Sequence, residues 1–80
     1  MATEQLYAAV ALSAGTALTR AKLTLVAASE ITGIPYTTLR RKIDGLAALT
    51  VPEVYAIAKA AAVDPVAIFT GRLAEEAAAA

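Results

Sequence analysis

The sequence contains no cysteine and no histidine among its 80 residues. The missing thiols exclude disulfides and thiolate metal sites, and the missing imidazoles remove the commonest general base and zinc ligand. The acidic residues stand singly apart from the neighbours Glu75 and Glu76, so no paired carboxylates and no nucleophile with a base are visible. We therefore expect a protein that is not an enzyme and that needs no metal, cofactor or small-molecule ligand.

Long uncharged runs are also scarce. The longest, residues 5–19, contains Gln, Ser, Thr and Gly and is 15 residues long, which is too short and too polar to span a bilayer. No basic leader precedes it, so it is a poor signal peptide. We expect a soluble protein that makes no membrane contact and stays in the cytoplasm.

Alanine is abundant in the sequence. The apolar fraction of 59% comes largely from this residue, which favours helix and buries little area per side chain. No β-branched alternation or hairpin turn signal is found. Because 80 residues suffice for one modest core, we expect an all-α, compact bundle of short helices in a single domain, residues 1–80.

Start and stop signals divide the chain into five predicted helices. Apolar residues at helical spacing predict the first over residues 4–21. Thr24 is a suitable N-cap for a short second helix, and Gly33, which adopts positive φ easily, ends it. After a proline, a third helix starts near Tyr36 and ends at Gly45.

The second half of the chain carries two further N-cap signals. Thr50 and Glu53 have the spacing of a capping box, and Asp64 followed by Pro65 predicts the start of a fifth helix. Residues 71–80 are good helix formers with little apolar surface. We expect this segment to be a frayed tail or one used by a partner.

The net charge is zero, but the charges are unevenly distributed. Residues 1–19 carry only Glu4, residues 20–43 carry five basic groups against one acidic group, and residues 44–80 have a net charge of −3. Local charge sets the electric field at a docking face, so a neutral protein with one basic stripe can still be drawn to DNA phosphates. The acidic remainder would point away from the duplex.

Residues 24–45 carry the most informative pattern, two short helices joined by a tight turn at Gly33 and Ile34. Helices joined so tightly cross steeply, and small residues such as Ala28 permit the close crossing. This pattern resembles the helix-turn-helix of the lambda-repressor-like (Cro/cI-type, XRE-like) regulators of bacteria and phages. The resemblance covers about residues 18–70, which we take as the domain core. The phrase GIPYTTL, beginning at Gly33, is similar to variants from actinobacteria and their phages.

Segments outside the turn extend the resemblance, with three departures. RAKLT at residues 20–24 is similar to the family's approach to its second helix, and DPVAIF at residues 64–69 to its fifth. Ser29 stands where alanine is usual, Leu25 where a glutamine often contacts the DNA backbone, and Lys42 where an apolar residue is common. The second departure removes one phosphate contact, and the third leaves the inward-facing role to the next residue.

In this family the helix after the turn enters the major groove with its N-terminal part. A helical wheel with Leu39 and Ile43 inward leaves the other side of the helix outward. Arginine there can recognise guanine through two hydrogen bonds, and threonine can contact a thymine methyl group. The expected base contacts are Tyr36, Thr37, Arg40 and Arg41. The expected contacts to the DNA backbone, from groups bordering that face, are Lys22, Thr24, Thr38 and Lys42.

Less specific interpretations of the same residues stay open. Three consecutive basic residues, 40–42, are also typical of a solvated helix face. A tyrosine one turn before a core leucine, as Tyr36 is, is as often a half-buried packing residue as a contact.

The resemblance implies a sequence-specific transcription regulator, a phage-type repressor or Cro-like protein that occupies an operator in double-stranded DNA. It would act in the cytoplasm of a bacterial host, associated with the nucleoid. One small domain contacts few base pairs, so we expect a homodimer on a near-symmetric site. The expected dimer residues are Ile68, Phe69 and Leu73, for which ordinary core packing is the alternative interpretation. The long first helix is a second candidate surface.

A second hypothesis comes from a different functional class. The chain could keep the helix-turn-helix shape and bind another protein, as an antitoxin, an antirepressor or a recombination accessory protein. A protein-binding version would tend to show apolar residues on the outward face of residues 36–44. The two arginines on that face favour DNA.

Overall fold

Local capping signals set the helix boundaries. The computed structural model describes residues 3–71, with side chains from residue 8 onward. Within that range the chain forms five α-helices and no strand: α1 (Thr3–Arg20), α2 (Leu25–Thr32), α3 (Tyr36–Ile43), α4 (Val51–Ala61) and α5 (Pro65–Phe69). The all-α prediction is confirmed for these residues. All five helices begin, and the first three end, within two residues of the expected positions.

Side chains close the N-termini of α2, α4 and α5, as predicted. The Thr24 hydroxyl accepts a hydrogen bond from the third N–H of α2 at 3.1 Å. Thr50 and Glu53 form the complete capping box, with the Glu53 N–H donating to the threonine hydroxyl and the Thr50 N–H donating to the carboxylate. The Asp64 carboxylate accepts from the Val66 N–H at 2.9 Å. Each cap satisfies a backbone donor that would otherwise have no helical partner.

A residue in the left-handed conformation follows each of the five helices within two residues. Gly33 has φ +76° and its N–H donates to the Ser29 carbonyl, which closes α2 as expected. Lys22, just after α1, has φ +59°, and Ala62, the C-cap of α4, has φ +57°. A side chain in this conformation is strained relative to glycine, so these two chain reversals are made without the residue that favours them.

The core lies between α1, α4 and α5, with α2 packed on α4 and with α3 packed on α1 and α2. Among the side chains of residues 8–71, thirteen apolar ones are buried, and seven of them are alanine, which lets helix axes approach closely. The largest fully buried apolar side chains are Leu39, Val54, Ile57 and Ile68. The first helix contributes Ala11, Ala14 and Ala17, which are at most 2% exposed.

The fifth helix presents a different side to the core than the sequence suggested. Ile68 is fully buried, so it is not available to a second protein, and its assignment to a dimer surface is corrected. Leu73 lies outside the described residues. Among residues 3–71, no helix is long and apolar enough to cross a membrane.

Candidate nucleic-acid interface

The connection between α2 and α3 has only three residues, 33–35. Ile34 at its centre is 8% exposed and joins the core cluster. Its carbonyl accepts a hydrogen bond from the Ser29 hydroxyl, and its N–H donates to the Thr32 hydroxyl at 3.3 Å. Both polar groups of the buried turn residue are thus satisfied, which fixes the turn. Ser29, a departure from the family pattern, supplies one of these bonds.

The third helix turns one side to the core and the other to solvent. Leu39 is fully buried, and Ile43 is partly buried and packed against the core. The inward orientation expected for these two residues is confirmed. The opposite side carries the exposed residues Tyr36, Thr37, Arg40 and Arg41, with Thr38 half-buried at its border. The four side chains expected to contact bases therefore share one accessible surface, which we call the α3 face.

Arg40 is held between two residues of its own helix. Its Nη1 donates to the Tyr36 hydroxyl at 3.2 Å, and its Nε lies 3.9 Å from Oδ2 of Asp44. The Arg40 and Asp44 side chains are 61% and 54% exposed, so the ion pair contributes little to stability. The Tyr36 hydroxyl first, and then the Asp44 carboxylate, raise the pKa of Arg40 above its ordinary value. The guanidinium remains charged and lies along the α3 face.

Arg41 is exposed on the same face. Its guanidinium has no hydrogen bond or ion pair within residues 3–71. Five donors in a planar fork are thus available to an acceptor outside the domain, such as a guanine edge or a phosphate.

Three of the four expected backbone contacts border the α3 face or precede α2. Lys22 is exposed in the turn after α1, and Thr24 is exposed at the start of α2, where its hydroxyl already serves as the cap. Thr38 is half-buried. The exposed Lys22 ammonium and the N-terminal amides of α2 supply a positive charge and several hydrogen-bond donors beside the two helices. Such a surface favours binding of a phosphate.

Lys42 differs from this expectation. Its ammonium donates to both carboxylate oxygens of Glu53 at 2.6 and 2.7 Å, and the two side chains are only 16% and 17% exposed. The ammonium therefore faces the start of α4 and is already paired, so we withdraw Lys42 from the group of free DNA-backbone contacts.

The environment of Glu53 lowers its pKa. Burial alone would raise the pKa of this carboxyl, but hydrogen bonds from Lys42 and from the Thr50 N–H, with the lysine charge, outweigh that effect and leave it below the ordinary value. The carboxylate is thus stabilised in its charged form. Sequence reasoning gave Glu53 only its capping role, because its second partner lies eleven residues away on another helix.

An apolar patch lies on the outside of α4 and α5. The rings of Tyr55 and Phe69 meet edge to face, with centroids 6.0 Å apart, and Val66 lies one turn before Phe69. Tyr55 is 56% exposed, Val66 59% and Phe69 38%. We call these three residues the α4–α5 patch. Of the three residues expected at a dimer surface, Phe69 is the one that the structure describes as accessible.

Comparison with protein-family models, curated proteins and solved structures gives no match to this chain. Function is therefore inferred from the chemistry of α2, α3 and their neighbours alone.

Proposed function

We propose that the protein is a sequence-specific transcription regulator that binds double-stranded DNA. In this proposal α2 and α3 are a helix-turn-helix of the lambda-repressor-like kind, and α3 is the recognition helix. The observation that carries the proposal is the α3 face: two arginines, a threonine and a tyrosine are exposed on one side of a helix whose other side Leu39 fixes in the core.

The chemistry of the α3 face suits the major groove. A groove about 12 Å wide admits one α-helix, and arginine paired with guanine O6 and N7 is the commonest specific contact. Arg41 has unused donors, and Arg40 is restrained by its hydrogen bond to the Tyr36 hydroxyl. Lys22 and the α2 N-terminus would bind phosphates on one strand and fix the register of the helix on the duplex.

The regulator would act as a dimer that occupies an operator and blocks RNA polymerase. One domain of this size reads only a few base pairs, and two copies on a near-symmetric site supply the missing specificity. The α4–α5 patch is the proposed contact between copies, because it exposes Tyr55 and Val66, two large apolar side chains, next to a half-buried ring.

The same patch favours one alternative, a helix-turn-helix module that binds another protein, as an antitoxin, antirepressor or recombination accessory protein does. Exposed apolar residues grouped together are typical of protein contacts. The α3 face, however, carries two exposed arginines, whose positive charge and paired donors suit DNA phosphates and guanine edges. We therefore propose the patch for self-association and the α3 face for DNA.

Selection from a pool of random duplexes tests the proposal. The wild-type protein at moderate salt should enrich one site with two-fold symmetry, and the double variant Arg40→Ala/Arg41→Ala should enrich none. Lys59→Ala is the matched control, because it removes an exposed positive charge from the last turn of α4 and should leave the selected site unchanged. Failure of the wild type to enrich any site would overturn the proposal and favour the protein-binding alternative.

A further inference from the structure

The ion pair of Lys42 and Glu53 joins the last turn of α3 to the first turn of α4. The ammonium bonds to both oxygens of the carboxylate, and Oε1 also accepts the Thr50 N–H at 2.8 Å. One carboxylate thus connects the end of α3 with the cap of α4. The contact joins two charged groups, involves both carboxylate oxygens and is largely shielded from solvent. It therefore fixes both side chains more firmly than a surface ion pair does.

The apolar anchorage of α3 is confined to one side of the helix. This helix has eight residues, of which only Leu39 is fully buried, and Ile43, one turn later on the same side, is partly buried against the core. Through these side chains α3 packs against α1 and α2. The Lys42–Glu53 pair adds a third fixed point, which connects the helix to α4.

The pairing also argues against a direct role for Lys42 on DNA. A phosphate could bind this ammonium only by displacing Glu53, because the carboxylate already occupies it and leaves the lysine side chain 16% exposed. Displacement would leave an unpaired, partly buried carboxylate close to the DNA backbone, which is costly on both counts.

We infer that Lys42 and Glu53 are positioning residues, which set the orientation of the α3 face for DNA without touching it. This inference rests on the proposed function. Glu53 therefore has two tasks: it caps α4, and through Lys42 it holds the recognition helix.

Two variants separate positioning from phosphate contact. Lys42→Met removes the ammonium and keeps the length of the chain, and Glu53→Gln removes the charge but retains an acceptor for the Thr50 N–H. We expect each variant to weaken binding to the selected operator about tenfold, and the double variant to bind no more weakly than either single one. The slope of log K against log salt should stay at the wild-type value, because no phosphate contact is lost.

A phosphate ligand would behave differently. In that case Lys42→Met would reduce the steepness of the salt slope by about 0.9, and Glu53→Gln, which frees the ammonium, would strengthen binding. Either result overturns the inference. Lys42→Arg keeps the ion pair and should retain wild-type binding, while Lys59→Met, a matched loss of charge elsewhere, should change neither affinity nor base preference.

Amide hydrogen exchange tests the same inference without DNA. In Lys42→Met, amides of α3 should exchange about tenfold faster than in the wild type, while those of α5 keep their wild-type rates. Uniform acceleration would mean that the variant is destabilised globally, and unchanged exchange in α3 would contradict the positioning role. A wild-type protein that binds no duplex would overturn the proposed function, whereas this exchange pattern would still decide whether the pair holds α3.

Discussion

The Tyr36 hydroxyl accepts a hydrogen bond from Nη1 of Arg40, 3.2 Å away and one turn later in α3. One further turn along, Asp44 lies 3.9 Å from Nε of the same arginine. The guanidinium is therefore restrained from both sides while it stays exposed. An arginine loses considerable rotamer freedom when it binds, so a side chain already restrained by its neighbours binds its target at lower entropic cost.

Tyr36→Phe tests this restraint, because it deletes the hydroxyl and keeps the ring. We expect binding to the selected operator to weaken about threefold to tenfold, with base preference relaxed at one position of each half-site. Thermal stability should not change, since Tyr36 is 39% exposed. Electrophoretic mobility shift or fluorescence anisotropy with single-base operator variants measures both effects. The same change in the Arg40→Ala background is the control: it should have no further effect there, and an equal loss in both backgrounds would contradict the role of Tyr36.

Lys22→Gly should increase the stability of the fold and weaken DNA binding. Relief of the left-handed strain at φ +59° should raise the free energy of unfolding by about 0.5–1 kcal/mol. Loss of the exposed ammonium should weaken DNA binding and reduce the steepness of the salt slope by about 0.9. Ala62→Gly relieves the same strain at φ +57° without a change of charge. It should therefore be more stable and bind normally, and a wild-type salt slope in Lys22→Gly would show that Lys22 makes no phosphate contact.

The loss of stability at acidic pH should depend on Glu53. Its folded pKa lies below the ordinary value of 4.5, so the native state binds this proton less readily than the unfolded chain does. The resulting stabilisation is complete above that ordinary value and is lost as the pH falls through the lower folded pKa. Urea unfolding at a series of acidic pH values should show a smaller loss for Glu53→Gln than for the wild type. An equal loss of stability in the variant and the wild type would exclude this contribution of Glu53.

Substitution of alanine should lower the stability of the fold at Gly33 and raise it at Gly15. Gly33 has φ +76° and open space where a Cβ would lie, so Gly33→Ala adds backbone strain of about 1–2 kcal/mol without any clash. Gly15 lies inside α1, and a Cβ there would rest 3.4 Å from Cγ2 of Ile43, an ordinary contact. Gly15→Ala should therefore stabilise by up to about 1 kcal/mol through helix propensity. Thermal unfolding measures both, and a stabilised Gly33→Ala would contradict the strain at the turn.

The helices and caps could be predicted because their signals are local. An N-cap such as Thr24 or Thr50 bonds to a backbone group no more than three residues away, so the sequence spacing contains the whole interaction. The inward orientation of Leu39 could be predicted for a similar reason, since an eight-residue helix has a fixed wheel once one buried position is chosen.

Contacts between helices could not be predicted in this way. The partner of Lys42 lies on another helix, and its selection depends on how α3 and α4 are placed by the core. For Ile68 the sequence left a dimer contact and core packing as alternatives, and a helix of five residues has too few positions for a wheel to decide between them. The left-handed residues Lys22 and Ala62 carry no sequence signal, because the chain reversal there is imposed by packing on both sides.

Val66→Glu tests the proposed dimer surface. Val66 is the second residue of α5 and 59% exposed, and Val26 is the second residue of α2 and 57% exposed, which makes Val26→Glu a closely matched control. If two α4–α5 patches meet across a two-fold axis, the variant places a pair of like charges in an apolar contact. We then expect the dimer dissociation constant to rise more than about tenfold, since an unpaired buried charge costs several kcal/mol.

Sedimentation velocity, with and without the selected operator, measures the change. Val66→Glu should sediment as a monomer at concentrations where the wild type is a dimer, and on DNA it should bind half-sites independently. Val26→Glu should associate normally in the absence of DNA. Normal association of Val66→Glu would exclude the α4–α5 patch as the dimer contact. Loss of association in Val26→Glu alone would move that contact to α2, on the same side of the molecule as the recognition helix, and would be incompatible with simultaneous binding of two half-sites through α3.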